Sequence, residues 1–165
     1  MNDIYLPGDV ALARGNDFVG MGIQFGTRSR FNHVRLLVDT KGKVLEADAS
    51  GAQWHHVHPD DVVVRPPLTV AEQAQIPEIA AHLHGTPYGF LDCAALGLAQ
   101  FGLTLPSVTR RVSRPDRLFC SQLVDYAWFL AGFHAFDDGR VPQDVSPGDI
   151  ADLALRAGWK VVNPA

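Results

Sequence analysis

At 165 residues the chain is long enough for one domain that buries roughly 70 % of its unfolded surface, so its core needs neither metal nor disulfide staples. A net charge of −4, with 18 acidic against 14 basic side chains, argues against nucleic acid binding, which calls for a broad basic face. The N-terminal "MNDIYLPGDV" lacks the basic n-region and apolar h-region of a secretory signal, and "AALGLAQFGLTL" is too short and interrupted for a transmembrane segment.

A soluble protein is therefore expected, cytoplasmic or released by a phage or specialised secretion route. Cys93 and Cys120 have no need to pair, and the redox compartment stays open. With no repeat, low-complexity segment or linker, residues 1–165 read as a single domain.

In chain order, "DVALAR" predicts a first strand. "HVRLLVD" predicts a second, with Val34, Leu36 and Val38 towards the core and His33, Arg35 and Leu37 on the other face. "DTKG" supplies a turn in which Gly42 takes a positive φ, and "KVLEADA" is the returning strand. "WHHV" and "VVVR" follow as short strands, giving an antiparallel meander. Thr69 and Glu72 predict a capping box for a helix near 70–84, with a kink or break at Pro77 and a stop at Gly85. Further helices are expected at about 89–101, from Cys120 to Gly132, and from Ser146–Pro147 to Gly158. Strands first and helices afterwards is the α+β pattern, a sheet or barrel-like N-terminal half packed on C-terminal helices.

In "RLFCSQLVDYAWFLAG", Cys120 shares one helical face with Leu123, Val124, Ala127, Leu130 and Ala131, which fits a packed side chain. Its position at a helix start suits a nucleophile as well, because the N-terminal partial charge and the upstream Arg114 and Arg117 favour a thiolate. Cys93 follows Asp92, which raises a thiol pKa, and is the weaker candidate. His33 faces away from the aliphatic layer and is the best partner. Odd-sum hairpin registers put both Glu46 and Asp48 on its face, and parity does not choose between them. His55, His56 and His58 are dense, but a zinc site wants three or four converging ligands, so a surface strand is expected and no metal.

Arg28, Arg30 and Arg35 lie near His33, and Arg110, Arg111, Arg114 and Arg117 precede Cys120; together they hold half of the 14 basic side chains. If the two stretches converge, with Arg35 and Arg114 at the site, they form a positive rim suited to an anionic substrate.

The segments "LPGDVALARG", "FNHVRLLVD", "VLEADASGAQWHHV", "TPYGFLDCAAL", "FCSQLVDYAWFLAG" and "VSPGDIADL", in this order, resemble the circularly permuted NlpC-type papain-like cysteine hydrolases, the YiiX-like group. The resemblance implies a permuted papain-like fold with Cys120 as nucleophile, His33 as general base and Glu46 as the group orienting it. It also places Tyr88 beside the nucleophile, and Asn32 where a small Ser is common. "LDCAAL" imitates the start of the unpermuted nucleophile motif at Cys93, but the longer match is at Cys120.

The implied activity is hydrolysis of an amide bond, in a peptidoglycan-type peptide, with no cofactor. The alternatives are acyl-lipid chemistry of the lecithin:retinol-acyltransferase type, or a non-catalytic binding module. The expected partner is a small peptide or acyl-lipid substrate.

Overall fold

The computed structural model describes residues 3–13, 31, 33–48, 50–86, 119–140, 142 and 145–164. Six strands, β1 (Val10–Ala13), β2 (His33–Leu37), β3 (Lys43–Asp48), β4 (Gly51–His56), β5 (Val62–Arg65) and β6 (Lys160–Val162), form one sheet. Its order is β4-β3-β2-β1-β5-β6, and every neighbouring pair is antiparallel. The expected meander is β1 to β4; β5 returns to the free side of β1. The outer strand β6 is not anticipated, because "KVV" is too short to show alternation.

The β2–β3 turn forms as the sequence predicts. Asp39 Oδ1 accepts the Lys41 and Lys43 N–H groups at 2.8 and 3.0 Å, and Gly42 has φ +86°.

Period-2 alternation gives the sheet two apolar faces. On one, Val10, Leu12, Val34, Leu36, Leu45 and Val64 join the helices in the main core. On the other, Ala11, Leu37, Val44, Val63 and Val162 form a smaller layer with Tyr5 and Val57. His33 and Arg35 share that second face with Leu37, as the strand pattern predicts.

Three helices are described: α1 (Val70–Leu83), α2 (Phe119–Ala131) and α3 (Pro147–Arg156). The helix expected at 89–101 lies outside the described residues. Thr69 and Glu72 make the capping box of α1, and Gly85 follows it at φ +77°. Of the kink or break expected at Pro77, the break does not occur, and α1 runs on through that residue. Pro77 is on the solvent side, so water can serve the Gln73 carbonyl that loses its helical partner. Ser146 and Asp149 cap α3 reciprocally, with Pro147 in its first turn and Gly158 beyond its end.

The α2 helix is buried on more than the predicted face. Ser121, Gln122, Asp125 and Tyr126 are also enclosed, because α2 packs against β2 and β3, α1 and α3. Ser121 Oγ donates to the Val145 carbonyl at 2.6 Å, tying α2 to the start of α3. At the other end of α2, Trp128 is fully buried, meets Phe133 and Trp159 edge-on, and donates its indole N–H to the Gly8 carbonyl at 3.1 Å.

Gly8 shows why no side chain fits at this crossing. Its φ is +93°, and an added Cβ would lie 2.6 Å from Leu68 Cδ2. Gly8→Ala is expected to cost about 1–3 kcal/mol, read as a lower urea midpoint at unchanged m value.

Asp3 and Pro164 meet at the β6 side. Asp3 bridges Pro164 in parallel, and Lys160 Nζ donates to Asp3 Oδ1 at 2.6 Å.

Candidate active site

The β2–β3 register pairs Leu36 with Leu45 and Leu37 with Val44, an odd-sum register. It sets Arg35 opposite Glu46 and makes Glu46 the diagonal neighbour of His33, within reach of a long side chain. His33 Nε2 lies 2.6 Å from Glu46 Oε1. Asp48, the other carboxylate left open by parity, turns instead to Ser50, accepting its N–H at 2.7 Å, and lies 3.5 Å from His55 Nε2.

The paired part of β2 and β3 is short. Val38 N–H donates to the Lys43 carbonyl, so the ladder's period points the Leu36 and then the Val34 N–H towards β3. Pairing with β3 is not continued at Val34, and its N–H faces the Cys120 sulfur instead. The N-terminal end of α2 thus meets β2 edge-on where the ladder opens, within hydrogen-bond reach of His33 on the strand's other face. With Nε2 committed to Glu46, the ring nitrogen left for sulfur is Nδ1.

This geometry separates charge. Burial opposes a charge on His33, but the adjoining thiolate and the Glu46 carboxylate prevail and push its pKa up to about 10. Burial likewise opposes the Cys120 thiolate. The His33 charge and hydrogen bond, helped by the Val34 and Ser121 N–H groups, nevertheless bring the thiol below its ordinary value. Glu46 is raised by burial, but hydrogen bonds and charge from His33 and Arg35 hold it down to about 2. These shifts favour the thiolate–imidazolium form of the pair, backed by the Glu46 carboxylate.

Arg35, expected at the substrate, places its guanidinium between two carboxylates: Nε donates to Glu46 Oε2 and Nη1 to Asp61 Oδ2, both at 2.6 Å. Sequence reasoning missed Asp61. An odd-sum register puts Arg35 and Glu46 on one face, whereas no local pattern links Arg35 to a residue 26 positions away.

Tyr88 and Arg114, with Asn32, Cys93, Arg28, Arg30, Arg110, Arg111 and Arg117, lie outside the described residues. The histidines of "WHHVH" do not converge: His55 reaches towards Asp48 and His58 towards Asp60, both on the surface.

An antiparallel sheet with a cysteine-bearing helix inserted beside a histidine strand defines an α+β fold of known type. The chain is similar to the crystal structure of metalloprotein yiiX from Escherichia coli O157:H7, DUF1105. Identity is 22 % and the TM-score 0.54, over 96 % of this chain and 88 % of that one. At this identity the likeness is one of fold. No protein-family model and no curated protein matches the chain.

Proposed function

We propose that the protein is a thiol hydrolase of the circularly permuted papain-like type, cleaving an amide bond in a peptidoglycan-type peptide through Cys120, His33 and Glu46. The carrying observation is the Cys120–His33–Glu46 chain at the start of α2, with thiol pKa lowered and imidazole pKa raised.

In this reading the Cys120 thiolate attacks the carbonyl carbon and the carbon–oxygen π electrons move onto oxygen. The Cys120 N–H, one of the first-turn donors without a helical acceptor, helps hold that oxyanion, a contribution of about 3 kcal/mol in comparable sites. The His33 imidazolium gives its proton to the leaving amine as the C–N bond breaks. His33, now neutral, takes a proton from water, whose hydroxide displaces the thiolate from the thioester and releases the acid. Glu46 fixes the ring throughout.

The yiiX protein is described as a metalloprotein. Among the described residues here, no three or more His, Cys, Asp or Glu side chains are placed to hold a metal ion. No helix among them is long and apolar enough to cross a membrane.

The test incubates the protein with purified muropeptides and, separately, with acyl lipids, using Cys120→Ala as the blank. Expected is Cys120-dependent release of an amine from the muropeptide. Fatty-acid release alone would move the assignment to acyl-lipid chemistry. Absence of both, with Cys120 no more reactive than a free thiol, would leave a binding module.

A further inference from the structure

Resting on the thiol-hydrolase reading, we propose that Arg35 is a positioning residue: anchored by Asp61, it pins the Glu46 carboxylate that orients His33.

Glu46 divides its oxygens, Oε1 to His33 Nε2 and Oε2 to Arg35 Nε, each at 2.6 Å. A glutamate carboxylate turns easily about its last torsion, and a single partner would leave it that freedom. A second donor at a fixed place removes it. Arg35 is fixed in turn, because Nη1 donates to Asp61 Oδ2, and that oxygen also accepts the His58 N–H at 2.9 Å. The Asp61 side chain is only 4 % exposed, a built anchor rather than a surface contact.

The tether crosses strands. Arg35 is on β2, Glu46 on β3, and Asp61 immediately precedes β5, on the far side of β1. On this face β1 presents Ala11, opposite Arg35 and Val63, and then Ala13. Two methyl groups leave room for the guanidinium to pass over β1, where larger side chains would block it. The planar fork of arginine suits this double engagement, and a lysine ammonium would lack it. Two carboxylates already compensate the Arg35 charge, which leaves it poorly suited to capture a substrate anion.

The test uses p-nitrophenyl acetate as acyl donor in a Cys93→Ser background, with thermal melts on every variant. Arg35→Met and Glu46→Gln are each expected to lower kcat about 10- to 100-fold with KM nearly unchanged. The double variant should be no slower than Glu46→Gln, and Arg35→Lys should not restore the rate. Arg35→Met combined with Asp61→Asn avoids stranding a buried carboxylate if the single variant folds poorly.

In parallel, NMR titration of the His33 ring should show that Arg35→Met shifts its midpoint in the wild-type background and not in Glu46→Gln. Losses that multiply, or equal His33 shifts in both backgrounds, would overturn the proposal. So would a KM increase confined to an anionic donor such as mono-p-nitrophenyl succinate. If wild type shows no Cys120-dependent acyl transfer, the hydrolase reading fails by itself, and the His33 titrations alone decide whether Arg35 acts through Glu46.

Discussion

Replacing His33 with Ala is expected to raise the Cys120 thiol above its ordinary pKa and leave it buried and protonated at neutral pH. The sign follows from the competing influences at the sulfur. Burial raises the thiol, and His33 supplies the charge and hydrogen bond that most oppose it. In the wild type the thiolate persists below the ordinary thiol range and is lost only as pH falls through the lowered value. The imidazolium persists until pH rises through about 10. Alkylation by iodoacetamide, followed against pH in a Cys93→Ser background, should reach half its plateau below the ordinary thiol value. In His33→Ala that midpoint moves above the ordinary value, where no more than about 3 % of the thiol is ionised at pH 7, and the rate at that pH falls. A midpoint that stays in place would mean that the helix end and backbone donors alone make the thiolate.

Trp128→Ala should be among the most damaging core changes, costing about 3–5 kcal/mol in urea unfolding. The indole is fully buried, packs edge-on against Phe133 and Trp159, and bonds the Gly8 carbonyl just ahead of β1. Trp128→Phe keeps an aromatic ring there but strands the Gly8 carbonyl, and should cost less. A loss below about 1 kcal/mol for the Ala variant would show that the far end of α2 is held elsewhere.

Much of the fold is legible in the sequence because it is written locally. The capping pairs Thr69–Glu72 and Ser146–Asp149, the turn glycine Gly42 and the alternation in "HVRLLVD" each act over a few residues. What escapes depends on tertiary placement. The "KVV" strand exists because β5 offers it an edge, and Pro77 is accommodated because its face of α1 meets water. In the site, side-chain parity narrows the carboxylate to Glu46 or Asp48 but cannot choose. The choice comes from Ser50 and His55 engaging Asp48 while Arg35 holds Glu46 next to His33. The opening of the β2–β3 ladder, which gives the Val34 N–H to the sulfur, has no signature in either strand.

The meeting of Asp3 with Pro164 makes the order of elements along the chain a matter of where the ring is cut. A short linker from Pro164 to Asp3, with the chain opened at the exposed Pro59–Asp60 turn, would encode the cysteine helix ahead of the histidine strand. The β2, β3 and α2 segments that bring Cys120, His33 and Glu46 together would all stay intact. Such a cyclised and reopened chain should keep the same lowered thiol pKa, because the electrostatics depend on neighbours in space and are indifferent to which residue the ribosome reaches first.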